Sequence, residues 1–142
     1  MVFVADLLSK NLARHHLSPN IVHVVGRFLE LQLAFNQGAA FSLGNGHALI
    51  FTILSSAVLL FLIAWTTRLV SPAWGVAVGL MMGGILGNLS DRFFFGGRVT
   101  DWIKLPAWPN FNLADSAIVC SAILIAALVL RNISPVKGRT ET

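Results

Sequence analysis

The chain has 142 residues, 56% of them hydrophobic and 11% charged, with a net charge of +4 and a mean hydropathy of +0.76. This balance is too apolar for a soluble domain built on one core and places the chain in a membrane, as a single domain over 1–142. The Lys and Arg residues are scattered among apolar segments, which argues against nucleic acid and for contact with membrane lipid, while the single cysteine, Cys120, reads as a small core residue and excludes both a disulfide framework and a thiolate metal site.

The opening segment, about 1–14, is apolar only as far as Ala5, before Asp6 and Lys10 interrupt it. It offers about half of the ~20 apolar residues that a spanning helix needs, so it is expected to be a first transmembrane helix that is short or truncated. It has neither a basic leading stretch nor a small-residue cleavage site, so it does not read as a removable signal. Asp6 and Lys10 lie four apart and form a helix pair. His15, His16, His23 and His47 lack metal-site spacing on one helix face and are assigned to loops.

A small surface sheet is expected over about 25–45. Leu29, Leu31, Leu33 and Phe35 alternate with Glu30, Gln32 and Ala34, the period of a half-buried strand, with Glu30 pointing outward into solvent. Asn36-Gln37-Gly38 then gives a turn, and 39–43 returns as a second strand.

Three longer segments follow. Residues 48–67 are uncharged and form a span. A further span covers 72–92, with Pro72 at its start and Trp74 suited to an interface. Its glycines at 75, 79, 83 and 87 line one face, where small residues let helix backbones approach closely. Asn88, Asp91 and Arg92 share another face and are expected to hold the helix end and a neighbouring loop. The last span covers 112–131, where Asn112 reads as an N-cap and Asp115 as the acid of a capping box. The tail beyond Arg131 is polar.

Only six acids exist in the chain. Glu30 and Glu141 read as solvated, which leaves four aspartates at or just beyond span ends. An ionisable group in a membrane costs about 2.5 to 3.5 kcal/mol on insertion scales, which marks each one for function by default. Asp101 lies in a connection rich in Trp and Pro, and Asp115 follows fourteen positions later, with Pro106 and Pro109 between them. A connection of that kind can double back and bring the two carboxylates together. Two carboxylates within hydrogen-bond reach cannot both stay ionised, so they share one proton. The ionised member can then activate a water while the protonated member donates to a scissile carbonyl.

The stretches FNQGAAFS (35–42), GGILGNLSDR (83–92), RVTDWI (98–103) and FNLADS (111–116), with DLLSK (6–10) before them, closely resemble the motifs of the lipoprotein signal peptidases, the type II signal peptidases of bacteria. The resemblance implies a bundle of four transmembrane helices with a small extracytoplasmic β-sheet, in the bacterial cytoplasmic membrane, with the active site near the extracytoplasmic face. It implies an aspartic endopeptidase that cuts diacylglyceryl-modified prolipoproteins on the N-terminal side of the lipidated cysteine, as a monomer, with no metal and no organic cofactor. It casts Asp101 and Asp115 as the catalytic dyad. Asn36, Gly38, Asn88, Arg92 and Asn112 fall on positions that shape the substrate pocket, with Asp6 and Lys10 supporting the fold or the site. The stretch between the two catalytic aspartates is compact for this family.

The implied orientation puts both termini in the cytoplasm, with Arg68, Arg131, Lys137 and Arg139 inside and Lys10, Arg14, Arg27, Arg92, Arg98 and Lys104 outside. That count runs opposite to the positive-inside trend. Two other readings compete on residues alone. One is a small proton-coupled transporter relaying protons through the aspartates, although neither paired broken helices nor an internal repeat is visible. The other is a serine-lysine peptidase using Ser9, Lys10 or Lys104, although adjacent helix residues do not face each other.

Overall fold

The computed structural model describes residues 1–17, 21–36 and 47–136. In chain order the elements are α1 (Val2–His16), β1 (Val22–Val25), β2 (Leu29–Asn36), α2 (His47–Thr66), α3 (Pro72–Phe94), β3 (Val99–Lys104) and α4 (Leu113–Leu130). Helices α2, α3 and α4 are each long and apolar enough to cross a membrane.

The local sequence explains where each helix starts and stops. α2 contains neither Gly nor Pro, and its hydroxyls are turned back onto its own carbonyls, Thr52 Oγ1 donating to Ala48 O and Ser56 Oγ to Thr52 O, each at 2.7 Å. Those two hydroxyls are then satisfied within the helix, as a lipid-exposed helix requires. α3 begins at Pro72, whose missing N–H costs nothing at the first helical position. It ends where Gly96 takes φ +63° and Gly97 donates its N–H back to Arg92 O at 2.8 Å, a Schellman closure that turns the chain into β3. α4 opens on the expected capping box, with Asn112 as N-cap and Asp115 as its reciprocal partner.

The helices pack as an inside-out protein. Leu59, Leu62, Val78, Ile85 and Leu89 form one buried cluster and Trp74, Ala77 and Leu128 another, while most large apolar side chains of α2 and α4 face outward. α1 shows the same inversion: Val4, Leu8 and Leu12 are exposed along one stripe, and Asp6, Lys10 and Ala13 are buried on the other side. Val2 lies against Gly83, Asp6 against Gly87 and Arg14 against Asp91, so α1 runs parallel to α3 over the half that leads to the sheet. The sheet is antiparallel in the order β1-β2-β3 and closes that end of the bundle.

Several expectations change. The sheet is built from 22–25, 29–36 and 99–104, so Asp101 sits on a strand and not in a loose connection. The β-branched, alternating Val99-Thr100-Asp101-Trp102-Ile103, bounded by glycines and a proline, carries that strand signal. The turn at Gln37-Gly38 and the return strand over 39–43 fall outside the described residues. Glu30 is not solvated, because it pairs with His23 at 2.9 Å and Lys104 at 3.6 Å and is mostly covered. The histidines belong to elements: His15 and His16 end α1, His23 is in β1 and His47 begins α2. Cys120 is exposed on α4 rather than packed in the core. Trp74 is buried, with its indole N–H donated to Ile133 O at 2.7 Å, because the chain beyond α4 folds back over it.

The glycine row divides in two. A Cβ at Gly75 or Gly79 would meet nothing within 4 Å, whereas one at Gly83 would lie 2.8 Å from Val2 Cβ and one at Gly87 would strike the Asp6 carboxylate. Gly84, off the row, is also tight, and against main chain, with Ala114 O at 2.5 Å from the added carbon. Gly84→Ala is therefore expected to lower stability by about 1–3 kcal/mol in detergent thermal unfolding, the usual cost of overpacking. Gly79→Ala, with open space and better helix propensity, should unfold at the wild-type temperature or above it.

Candidate active site

Four elements converge where the sheet meets the bundle. The N-terminus of α4 presents orphan N–H groups. Two of them are satisfied by side chains: Asp115 N donates to Asn112 Oδ1 at 2.9 Å, and Ala114 N donates to Asp6 Oδ1 at 2.9 Å. Asp6, one hundred and eight residues away in sequence, thus helps to cap α4 from α1, where the positive end of the helix dipole favours its charge.

Asp91 anchors β3. Its Oδ2 accepts Thr100 N at 2.7 Å, and its Oδ1 faces Arg14 Nη1 at 3.2 Å, which also donates to Thr100 Oγ1 at 2.7 Å. Asp101 is the next residue on the strand and is 2% exposed. Its neighbour across the sheet is Ala34, placed there by an irregularity in β2 between Leu31 and Ala34. Bulges of this kind re-aim side chains next to active sites.

The connection between the two aspartates does double back. Leu105-Pro106-Ala107-Trp108 makes a turn closed by Trp108 N to Leu105 O at 3.3 Å, with Pro at the second position and Ala107 at φ +56° in the third. This is the type II pattern, with Ala where Gly is usual. Ile103 and Phe111 then exchange main-chain hydrogen bonds of 2.9 and 3.0 Å, which delivers Asn112 beside β3.

Asn112 touches both acids. Its Nδ2 donates to Asp101 Oδ1 at 2.8 Å, and its main-chain N–H donates to Asp115 Oδ2 at 3.1 Å. The other oxygen of Asp115 accepts Asn88 Nδ2 at 2.8 Å. Asn36, at the end of β2, hydrogen-bonds the Asp101 carboxyl. Arg92 lies within electrostatic range of Asp101, Asp115 and Asp91, and its Nε is buried with no hydrogen-bond partner among the described residues. The structure therefore brings together Asp101, Asp115, Asn36, Asn88, Arg92 and Asn112. Gly38 lies outside the described residues. Asp6 and Lys10 stand one layer behind, forming the helix pair that their spacing suggests, at 2.7 Å and with both side chains fully buried. Thr100, Arg14 and Ala114 N are parts of the site that sequence reasoning does not single out; the strand signal over 99–103 is the one cue to Thr100.

Burial is the largest influence on Asp101, followed by the charge of Asp115, and together they push its carboxyl up to about 7 against the pull of the Asn36 and Asn112 hydrogen bonds. A carboxyl that remains protonated to near neutrality beside a second carboxylate can donate a proton while its partner accepts one. Among the described residues no cluster of His, Cys, Asp and Glu fits a metal ion. An apolar cavity of about 310 Å³ lies between α1 and the sheet, bordered by Leu12, Leu31 and Trp102, and does not include the two acids.

A family model described as signal peptidase (SPase) II matches residues 1–131. A lipoprotein signal peptidase of Rhodococcus jostii is 40% identical over 141 residues, covering 95% of this chain and 71% of that protein. One from Leifsonia xyli is 43% identical over 147 residues, covering 99% and 68%. Among solved structures, a bacterial membrane enzyme determined by the in meso method at 2.3 Å resolution superposes with a TM-score of 0.84 at 27% identity, over 99% of this chain and 90% of that one.

The raised Asp101 has a consequence for stability. Relative to an unfolded value of 3.8, its folded value of about 7 means that the folded state holds the proton more tightly, so stability falls as pH rises from about 4 through about 7. Asp101→Asn, which keeps the acceptor but cannot ionise, should match the wild-type unfolding temperature near pH 4 and exceed it by a growing margin up to pH 8.5 in the same detergent.

Proposed function

The chain belongs to the signal peptidase II family, the lipoprotein signal peptidases, and on that premise we propose that Asp101 and Asp115 are the catalytic dyad of a prolipoprotein-cleaving aspartic peptidase. The observation that carries this reading is the placement of both carboxylates on one residue, Asn112, at the end of an apolar bundle.

Asp115 is the ionised member. Both of its oxygens accept N–H donors, from Asn88 and from the Asn112 main chain, and it sits in the first turn of α4, where the dipole favours negative charge. Asp101 holds the proton. Asp115 takes a proton from a water as that water attacks the scissile carbonyl carbon, and Asp101 donates its proton to the carbonyl oxygen. The tetrahedral diol collapses when Asp115 passes its proton to the leaving nitrogen of the cysteine residue and Asp101 takes a proton back from a diol hydroxyl, which leaves one proton on the pair. The Arg92 guanidinium, with a buried Nε still to be satisfied, is placed to receive a substrate carbonyl.

The substrate is a prolipoprotein whose cysteine carries diacylglycerol, and the cut falls on its N-terminal side. The exposed apolar surfaces of α2 and α4 keep the site at bilayer depth, so a substrate anchored by its own lipid reaches the dyad by lateral diffusion. α1 acts as a fourth membrane helix: its 15 residues reach about 22 Å at 1.5 Å each, and its outer stripe is apolar. The active site faces the extracytoplasmic side of the bacterial inner membrane, and the whole chain acts as one membrane domain. The adverse charge count has a physical explanation, since Lys10, Arg14 and Lys104 are held in ion pairs and Arg92 is coupled to the acids of the site. The transporter reading lacks a path, because no acid, base or histidine lies between Asp115 and Arg131 or within residues 48–67. Ser9 donates its hydroxyl to Asp6 O at 2.9 Å, so it is committed to its own helix and not to nucleophilic attack.

Asp101→Asn and Asp115→Asn should each lower kcat at least about a hundredfold, as expected for loss of a general acid or base, while folding as the wild type does in detergent. The assay is cleavage of a purified diacylglyceryl-modified precursor beside its unlipidated twin. Wild type should cut only the first, and cleavage by either aspartate variant at the wild-type rate would refute the dyad.

A further inference from the structure

Behind the dyad, Lys10 is fully buried on α1 and touches neither catalytic acid. Its ammonium pairs with Asp6 at 2.7 Å and Asp91 at 3.6 Å, and donates to Gly87 O at 3.3 Å and to Asn88 Oδ1 at 3.0 Å. The last bond determines what Asn88 can do. A carboxamide presents an acceptor on one side and donors on the other, whereas an ammonium can only donate. With Lys10 on its oxygen, Asn88 must turn its NH2 toward Asp115 Oδ1, where it sits at 2.8 Å. The reverse orientation would set NH2 against the ammonium and a carbonyl against a carboxylate.

Asn112 cannot hold Asn88 in place unaided. Its Nδ2 has two hydrogens and three acceptors within reach: Asp101 Oδ1 at 2.8 Å, Asn88 Oδ1 at 3.1 Å and Thr100 O at 3.2 Å. The shortest, to a carboxyl, takes the larger share. Asn88 Oδ1 is therefore only partly satisfied from that side, and the charged donor of Lys10 completes it.

We propose that Lys10 is a positioning residue that locks the orientation of the Asn88 amide so that Asn88 donates to Asp115, fixing which member of the dyad is the base. The inference rests on the dyad reading above. Lys10 also lies within electrostatic range of Asp101, where its positive charge favours the ionised form. The charged groups around this layer are Asp6 from α1, Asp91 and Arg92 from α3, Asp115 from α4, Asp101 from β3, and Arg14 behind Asp91.

The test compares Lys10→Met with the double variant Asp6→Asn/Lys10→Met. The double variant removes the ion pair without stranding the Asp6 charge, and its asparagine still offers an oxygen to Ala114 N. Both are assayed in detergent on the diacylglyceryl-modified precursor across pH 5–9, with Asp101→Asn and Asp115→Asn alongside. The expected result for the folded double variant is a kcat about tenfold to a hundredfold lower, from loss of a hydrogen bond to a charged group, with KM within about twofold of wild type. The alkaline limb of its pH–rate profile should also move upward, because of the two charges removed it is the Lys10 cation that acts on Asp101. A folded double variant with wild-type kcat and an unmoved limb would overturn the inference. So would a loss in Lys10→Met that the double variant restores, since that would assign the effect to an unpaired Asp6. Cleavage by the aspartate variants would instead remove the dyad itself, whereas inactive aspartate variants beside an unaltered Lys10 double variant would remove only this inference.

Discussion

The carboxamide of Asn112 is the contact on which the site depends. Its oxygen caps α4 through Asp115 N, its nitrogen reaches Asp101 on β3 and Asn88 on α3, and its main-chain N–H meets the other face of the Asp115 carboxylate. A capping box is ordinarily a helix-end device worth about 1 kcal/mol. Here the same geometry sets the spacing of two acids. The structural role of Asp115 and the catalytic role proposed for it are one arrangement, because the bonds that end the helix also orient the carboxylate.

The remaining charges explain how such a site survives at the edge of an apolar bundle. Asp6, Lys10 and Asp91, all buried, and the partly exposed Arg14 form a set of two acids and two bases, tied to the main chain at Ala114 N, Gly87 O and Thr100 N. Isolated buried charges are costly, but pairing and hydrogen bonding offset the loss of water. This neutral layer holds α1, α3, β3 and α4 in register. In front of it lies an unbalanced layer, where Asp101 and Asp115 lie within electrostatic range of Arg92, and burial together with the charge of Asp115 raises the Asp101 carboxyl. Stability is concentrated in the first layer and the proposed reactivity in the second. Glycine is required at Gly87 for the same reason, since a side chain there would displace Asp6 from the end of α4.

Local rules made much of this legible. Uncharged runs of bilayer length marked α2, α3 and α4, Pro72 marked a helix start, and Asn112 with Asp115 marked a capping box. Two prolines between the acids gave the reversal that unites them, and Pro106 indeed opens the turn. Contacts distant in sequence were not legible. No spacing rule connects Asp6 to Ala114 N, or Lys10 to Asn88, because those meetings follow from α1 lying on the glycine face of α3. The pairing of Glu30 is likewise beyond local rules because its partners come from both neighbouring strands, and the strand β3 lies inside a stretch whose aspartate is its most conspicuous residue.

The central claim is that one proton is held between two acids and resides on Asp101. Infrared titration of the protonated-carboxyl C=O stretch, taken as the difference between wild type and Asp101→Asn over pH 4–9, addresses it directly. The account predicts a carboxylic-acid band in the wild type that disappears with a midpoint near pH 7 and has no counterpart in the variant. A difference spectrum with no such band above pH 5 would contradict it.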